Sequence, residues 1–333
     1  MAARVAELDA GTFEGEPARN FEMVSEAGYR ATFNSIGARL MALRYPDGFD
    51  VVAGPERVED ILDSDVYAGA ICGRFANRIE NGRFMLNGKE RRLSLNEPPH
   101  HLHGGVNGFH RKTWTAKIED DALVFVLTSP SREEGYPGRL RVRAAYRFDH
   151  DTLSLDIEAR TRLPTIVNLT NHVYWNLTSA TTVADHVLQV SAQTYTPADS
   201  ALVPTGAVSF VSGTNYDFRE PTLLDDVLAD DKGFDVNFCL EGPRHELHHG
   251  ASVAAGRRAF DLYTTEPGLQ LYTANHHGPD LKGKRGETLR RLGALALEPQ
   301  NWPDAPNHAD FPSAELRPGE VYRHRMEWRF RTR

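Results

Sequence analysis

Several residue types and patterns that mark other classes of protein are scarce in this sequence of 333 residues. Its two cysteines, Cys72 and Cys239, allow at most one disulfide bridge and exclude the cysteine framework of small secreted domains. No apolar run reaches the ~18 residues of a membrane-spanning helix. The first 30 residues lack the apolar stretch of an export signal. We therefore expect a cytoplasmic protein with no membrane partner.

Basic residues are also fewer than acidic residues. The sequence has 38 Lys and Arg residues against 46 Asp and Glu residues, which gives a formal net charge of -8 at pH 7. Nucleic acids and anionic membranes are bound by basic surfaces. We therefore expect neither as a partner and favour a neutral small molecule. We expect a monomer or a homodimer.

Helical periodicity is scarce, and alternation of apolar and polar residues with a period of two dominates the chain. Residues 140–148 and 153–159 alternate on either side of the polar residues 149–151, which predicts an antiparallel hairpin with one solvent-facing side. The residue pairs Asn87-Gly88 and Asp120-Asp121 predict the turns of two further hairpins.

The C-terminal residues 322–330 alternate again, whereas the best helical pattern begins at Pro221 and predicts only a short surface helix. Many short strands joined by turns predict an all-β fold in which one large antiparallel sheet packs against another. No internal repeat or low-complexity linker divides the sequence. We therefore predict a single domain over residues 1–333.

Polar residues interrupt this pattern in four stretches. Guanidinium, amide and imidazole groups are suited to hydrogen bonding with sugar hydroxyls, and Phe75, Tyr174 and Trp302 offer flat apolar faces for a sugar ring. Taken singly, a strand histidine such as His172 is more often structural, and Arg74 and Arg78 could be solvated charges. The four stretches are residues 73–82, 101–105, 168–177 and 297–308.

Glu298 has the most informative context of these polar residues. It follows the apolar residues 292–297, which we expect to be buried. A buried carboxylate either pairs with a cation, such as one of the many arginines, or has its pKa raised by desolvation. A carboxylate with a raised pKa beside imidazoles can act in acid–base chemistry.

Metal binding is less well supported. Residues 245–249, HELHH, match the H-E-x-x-H pattern of zinc enzymes, which needs a helix to place both imidazoles on one face. Gly242-Pro243 and Gly250 leave too little chain for that helix. The other histidine groups, at residues 100–103 and 276–277, lack the regular spacing of metal ligands. We expect no metal and no cofactor.

Seven blocks, in this order, resemble the aldose 1-epimerase (galactose mutarotase) family. The likeness extends from about residue 30 to the C-terminus, and several long independent blocks make it specific. The blocks are GRFANRIENGRFMLNGK, LHGGVNGFHRKTW, VNLTNHVYWNL, DHVLQVSAQTYTPADSALVPTG, GFDVNF, TEPGLQLYTANH and LEPQNWPDAPNHADFPSAELRPGE.

The resemblance implies a large antiparallel β-supersandwich with few short helices that interconverts the α and β anomers of free aldoses, usually galactose and glucose, without a cofactor. His172 corresponds to the acid that protonates the ring oxygen, and Glu298 to the base that takes the anomeric hydroxyl proton. His103 corresponds to a second contact near the ring oxygen. The positions expected to bind the sugar hydroxyls are Asn77, Arg78, Tyr174, Asp235 and Gln270.

The sequence also departs from the family pattern. Val236 replaces a frequent histidine, Pro299 replaces a frequent threonine, and residues 274–277 read ANHH where GNF is frequent. These changes flank sugar-binding positions and leave the choice of sugar open. Two alternatives remain: an epimerase of a related or phosphorylated sugar, and a noncatalytic carbohydrate-binding β-sandwich. A phosphorylated sugar would need basic residues such as Arg111, Lys112 or Arg162 beside the site.

Overall fold

The computed structural model of the chain describes residues 3–13, 15–64, 66–228, 233–276, 281–284, 286 and 288–333. Strands dominate these residues. No helix in this part of the chain is long and apolar enough to cross a membrane. The described helices are the α-helix α1 Val58–Asp63 and the 3-10 helices Glu80–Gly82, Phe109–Arg111, Glu133–Gly135, Leu224–Asp226 and Ala305–Asn307.

The strands of the described residues are numbered in chain order. The first half contains β1 Arg4–Phe13, β2 Glu16–Val24, β3 Arg30–Asn34, β4 Arg39–Arg44, β5 Val52–Ala53, β6 Ile71–Cys72, β7 Arg78–Ile79, β8 Arg83–Leu86, β9 Lys89–Arg92, β10 His101–Leu102, β11 Thr115–Glu119, β12 Ala122–Ser129, β13 Leu140–Asp149 and β14 Thr152–Thr161. The second half contains β15 Thr165–Ile166, β16 Thr170–Asn171, β17 Tyr174–Trp175, β18 Val187–Val190, β19 Ala192–Thr196, β20 Ser209–Phe210, β21 Thr222–Leu223, β22 Asp235–Leu240, β23 His248–Ala255, β24 Arg258–Thr264, β25 Gly268–Tyr272, β26 Leu295–Gln300, β27 Glu315–Leu316 and β28 Tyr322–Thr332.

Two large sheets contain most of these strands. Within the described residues, a nine-stranded sheet has the order β11-β12-β13-β14-β28-β24-β23-β18-β21, and a seven-stranded sheet has the order β20-β19-β22-β25-β26-β17-β5. The neighbouring strands of the central part of each sheet pair antiparallel. Strands β1 to β4 form a further four-stranded sheet, and short two-stranded pairs complete the topology.

The hydrophobic core lies between the inner faces of the two large sheets. Trp175 of β17 packs against Phe260 of β24 with ring centroids 4.9 Å apart and against Trp328 of β28 at 6.0 Å. All three rings are buried, together with Leu271 and Leu297 of the seven-stranded sheet. Burial of this apolar area is the main stabilising contribution to the sandwich. The packing of one sheet on the other confirms the predicted sheet-on-sheet architecture.

The local hairpin predictions are confirmed. Strands β13 and β14 pair from Leu140 opposite Thr161 to Asp149 opposite Thr152. The turn at Asn87-Gly88 joins β8 to β9, and both residues have the positive φ that such a turn requires. The turn at Asp120-Asp121 joins β11 to β12.

The helix predicted from Pro221 is wrong. Thr222 and Leu223 instead form β21, which pairs with β18 at the edge of the nine-stranded sheet, and a single 3-10 turn follows. So short a helix is marginal in water, and the sheet edge offers hydrogen-bond partners that an isolated helix lacks. Residues 229–231, at the end of the predicted helix, lie outside the described residues.

The helix α1 was not predicted from the sequence. Its residues Val58, Ile61 and Leu62 are buried at helical spacing.

Candidate active site

A cavity of about 360 Å³ lies on the face of the seven-stranded sheet that points away from the core. The structure brings together all eight residues that the sequence analysis named. They are Asn77, Arg78, His103, His172, Tyr174, Asp235, Gln270 and Glu298. The placement of these residues at one cavity agrees with the prediction, whereas their individual roles stay predictions.

Strand alternation explains why these side chains meet. In β26, Leu295 and Leu297 point into the core, so Glu298 points to the opposite face. Antiparallel pairing places Gln270 of β25 directly opposite Glu298. The register of β22 with β25 places Asp235 opposite Tyr272 at the same cavity. Polar and aromatic side chains from three adjacent strands therefore share one wall.

Glu298 is almost fully buried, with 1% of its surface exposed. Its Oε1 atom lies 3.4 Å from Nε2 of His172. Its other oxygen, Oε2, is buried without a hydrogen bond from the described residues. Burial, reinforced by the negative charge of Asp235, raises the pKa of Glu298 well above its usual range, although Arg78 opposes this shift. The same shift makes the ionised carboxylate of Glu298 a stronger base than that of an exposed glutamate.

His172 lies between β16 and β17 and is held by its backbone. Its N–H donates to the carbonyl of Ala70 at 2.9 Å, and its carbonyl accepts from the N–H of Gly69 at 2.8 Å. The imidazole packs against Tyr174, with ring centroids 4.9 Å apart, and stacks on Tyr67 at 5.9 Å. These contacts restrict the ring to an orientation that faces Glu298.

His103 provides a second imidazole, with its ring centroid 5.2 Å from that of His172. The backbone N–H of Asn77 donates to Nδ1 of His103 at 3.2 Å. In its neutral form His103 therefore bears its proton on Nε2. Burial, together with the positive charges of His172 and Arg78, holds the pKa of His103 well below its usual range. His103 is thus suited to donate a hydrogen bond as a neutral imidazole.

Glycine permits the close approach of the segments that position His103. Gly104 has φ +90°, and a Cβ atom at this position would overlap the carbonyl oxygen of Gly73. Gly73 in turn packs against Leu169 and Phe109, leaving no room for a side chain. The GRF and LHGG segments can therefore lie side by side only with glycine at these positions.

A polar array forms the remaining wall. The guanidinium of Arg78 donates to both carboxylate oxygens of Glu97, from Nε at 2.6 Å and from Nη2 at 2.8 Å. Its Nη1 atom lies 4.0 Å from Asp235 Oδ2. Gln270 Nε2 donates to Asp235 Oδ1 at 2.5 Å. Burial raises the pKa of Asp235, and Arg78 and Gln270 partly offset this shift.

The cavity also contains residues that the sequence reasoning missed. Tyr272 follows Gln270 by two residues, and strand alternation could have placed it on the same face. Tyr67 and Glu97 come from loops, whose approach to the cavity no local pattern indicates. His276 lies at the cavity and stacks on Tyr272, with ring centroids 6.1 Å apart. Its neighbour His277 lies outside the described residues.

Three interpretations of the polar stretches need correction. Phe75 belongs to a separate buried cluster, and Trp302 packs on Phe311 and donates to the carbonyl of Pro267, so neither ring lines the cavity. Arg74 is buried rather than solvated. Its guanidinium donates to Ser129 and to backbone carbonyls of the same neighbourhood, so its function is structural.

The HELHH stretch does not form a helix. His245 lies in a turn, whereas His248 and His249 begin β23. The two outer imidazoles therefore do not share a helical face.

Both cysteines, Cys72 and Cys239, are buried and free.

One group within the described residues combines enough potential ligands for a metal ion. It consists of His103, His172 and Glu298, whose ligand atoms lie within 4.8 Å of one another. Two imidazoles and a carboxylate are also a common zinc ligand set. The same atoms can exchange protons without a metal, so the expectation that no metal takes part stays a prediction.

Comparison with known proteins identifies relatives over almost the whole chain. The family model described as aldose 1-epimerase matches residues 19–329. A galactose mutarotase from Homo sapiens is 41% identical and covers 97% of this chain and 96% of its own. An aldose 1-epimerase from Escherichia coli (strain K12) is 34% identical and covers 95% of this chain and 96% of its own.

Solved structures agree with the fold. An aldose epimerase homologue from C. elegans superposes with a TM-score of 0.87 at 28% identity and covers 99% of both chains. A galactose 1-epimerase from Lactobacillus acidophilus NCFM superposes with a TM-score of 0.88 at 24% identity and also covers 99% of both chains. These matches confirm the predicted large β-supersandwich.

Proposed function

The chain belongs to the aldose 1-epimerase family, and on this premise we propose that it interconverts the α and β anomers of free aldoses such as galactose and glucose. It is an isomerase of the mutarotase type. The observation that most supports the proposed mechanism is the 3.4 Å distance between His172 Nε2 and Glu298 Oε1, both buried at a cavity rich in hydroxyl-binding groups.

The chemistry needs one base and one acid. Glu298 accepts the proton of the anomeric hydroxyl while His172 donates a proton to the ring oxygen, which opens the ring to the aldehyde. The aldehyde group rotates, and the ring closes with the two residues in exchanged roles. Each proton transfer typically accelerates a reaction by about 10² to 10⁴-fold. The raised pKa of Glu298 favours removal of the anomeric proton because it makes the ionised carboxylate a stronger base than an exposed one.

The other cavity residues bind and orient the sugar. His103 donates from Nε2 near the ring oxygen as a second contact. Arg78 and Asn77 offer donors, and Asp235 offers a carboxylate, to the ring hydroxyls. Gln270 steadies Asp235 from the neighbouring strand. Tyr174 supplies an aromatic face beside His172.

The charge balance of the cavity supports a neutral sugar over a phosphorylated one. Among the described lining residues, Arg78 is the single arginine or lysine, and it already faces Glu97 and Asp235. Lys112 lies away from the cavity and pairs with Glu133 at 2.9 Å. Arg111 donates to the carbonyl of Leu62 and does not line the cavity either. A phosphate group would therefore meet more negative than positive charge.

The buried pair also disfavours a noncatalytic carbohydrate-binding module. A protein that only binds sugar has no need for a carboxylate of raised pKa beside an imidazole.

We further propose that the enzyme acts in the cytoplasm, in keeping with its two free thiols, on monosaccharides and as a monomer or homodimer. Nucleic acid is not a proposed partner because the formal net charge is -8.

Polarimetry tests the proposed function. Freshly dissolved α-galactose, α-glucose, L-arabinose, D-xylose and glucose 6-phosphate are followed with and without the protein. We expect faster mutarotation of free aldoses and little acceleration of the phosphorylated sugar. Preference for the phosphate ester would favour the alternative substrate. Galactose binding without any change in the rate of mutarotation would favour the binding module.

A further inference from the structure

The ion pair between Arg78 and Glu97 assigns a function to a residue outside the predicted site. We propose that Glu97 is a positioning residue that sets the orientation of the Arg78 guanidinium for sugar binding. This inference rests on the proposed function, because it concerns how the same cavity holds its sugar. Glu97 does not need to exchange a proton for this purpose.

The geometry of the pair leaves Arg78 little freedom. Glu97 accepts from Nε and Nη2 at 2.6 and 2.8 Å, which is the two-point contact that fixes the plane of a guanidinium. The Arg78 side chain is only 7% exposed. Because Nε and Nη2 are engaged, Nη1 is the nitrogen that faces Asp235, at 4.0 Å.

The loop that bears Glu97 is itself tied to the strand that bears Arg78. Glu97 and His100 exchange backbone hydrogen bonds of 3.3 and 2.7 Å. The Asn96 amide accepts from the N–H of Leu102 at 2.8 Å and donates to its carbonyl at 2.9 Å. Leu102 pairs with Arg78 across β10 and β7. Residues 96–102 therefore close back onto the Arg78 strand and hold Glu97 in place.

Glu97 also keeps two hydroxyl-binding groups apart. Arg78 lies between two carboxylates, those of Glu97 and Asp235. Without Glu97, the nearest carboxylate for the guanidinium would be Asp235, and a short movement would close their 4.0 Å gap into a direct ion pair. That pair would occupy both groups that the sugar hydroxyls need. Loss of Glu97 should therefore weaken sugar binding more than it slows proton transfer.

A double-mutant cycle tests this inference. Glu97→Ala, Arg78→Ala and the double variant are compared by isothermal titration with galactose and by polarimetry. Loss of a hydrogen-bonded charge pair predicts about a tenfold rise in Kd and KM for Glu97→Ala, with a smaller effect on kcat. In the Arg78→Ala background the same substitution should change Kd by less than about twofold, because its effect passes through Arg78. Glu97→Gln retains one acceptor and should lie between the wild type and Glu97→Ala.

Glu134→Gln provides the matched control. Glu134 accepts from Ser94 and from the N–H of Asn107, so it anchors neighbouring chain without touching Arg78. It should leave the galactose Kd near that of the wild type. Circular dichroism melting of each variant checks that folding is retained.

Two results would overturn the inference: a Kd unchanged in both Glu97→Ala and Glu97→Gln, or an equal loss of affinity in the wild-type and Arg78→Ala backgrounds. The second result would mean that Glu97 contacts the sugar directly or acts on the fold. Because titration measures binding without turnover, the cycle remains decisive if the wild type fails to accelerate mutarotation. That failure would count against the proposed function alone.

Discussion

At the scale of single residues, the decisive feature is the environment of Glu298. A carboxylate on the surface would be ionised and weakly basic at neutral pH. Glu298 instead lies in a buried strand, near the negative charge of Asp235, and its pKa is raised well above the usual range. His172 lies 3.4 Å from Glu298, and the imidazole of His103 lies next to that of His172, with ring centroids 5.2 Å apart.

The raised pKa predicts a specific pH dependence. The base form of Glu298 is the ionised carboxylate, so activity is lost as the pH falls through the pKa of this residue. Because that pKa is raised, kcat/KM for galactose should decline at a pH above the range in which ordinary carboxylates titrate. Polarimetric rates measured across the acid and neutral range give the midpoint. A midpoint in the ordinary carboxylate range would contradict the assigned environment of Glu298.

At the scale of elements, the site depends on register between strands that are distant in sequence. Gln270 faces Glu298 only because β25 pairs with β26 in one register, and a shift of β25 by one residue would turn Gln270 into the core. A separate contact ties β28 of the nine-stranded sheet to the segment before His172. Tyr322 of β28 accepts from the N–H of Leu169 at 3.2 Å and donates to Glu266 at 2.9 Å.

Removing this hydroxyl should destabilise the fold. Tyr322→Phe leaves the N–H of Leu169 and the buried carboxylate of Glu266 without this partner, which should lower the free energy of unfolding by about 1 to 3 kcal/mol. Urea denaturation measures the change. Since Leu169 lies three residues before His172, we also expect a lower kcat/KM. Wild-type stability in this variant would show that the hydroxyl does not tie the segment to β28.

Local sequence patterns predicted the hairpins. Contacts between segments that are distant in sequence could not be predicted in this way. The hairpin of β13 and β14 was predictable because alternation and a polar turn are local signals. Glu97 was not, because its pairing with Arg78 depends on how residues 96–102 close onto β7. The helix from Pro221 was mispredicted because pairing with β18 overrides a weak helical pattern. Six of the eight site residues lie in the four polar stretches, whereas Asp235, Gln270 and the individual roles came from the family resemblance.

At the scale of the whole molecule, the sandwich separates stability from chemistry. The apolar faces of the two large sheets form the core around Trp175 and Trp328, whereas the outer face of one sheet bears the cavity. Polar groups that would be costly in the core are concentrated at this cavity. The HELHH stretch lies apart from this cavity, at the start of β23.

This division predicts activity without a metal. Proton transfer by His172 and Glu298 needs no Lewis acid, so mutarotation should survive exhaustive treatment with EDTA. The paired substitution His245→Ala and His249→Ala should leave kcat within about twofold of wild type, since neither residue lines the cavity. Polarimetry measures the rate of mutarotation before and after chelation, and metal analysis measures the metal content of the protein. Loss of activity on chelation that zinc restores would instead assign His103, His172 and Glu298 as metal ligands.

Glu298→Gln is the decisive substitution for the proposed role of Glu298 as the base of this aldose 1-epimerase. Glutamine preserves the size of the side chain but cannot accept the anomeric proton. Polarimetry and isothermal titration with galactose on the same preparation should show kcat reduced by roughly 10² to 10⁴-fold. The galactose Kd should stay within about threefold of wild type, because the substitution removes a transition-state interaction rather than a ground-state contact. Wild-type turnover with glutamine at position 298 would show that Glu298 is not the base.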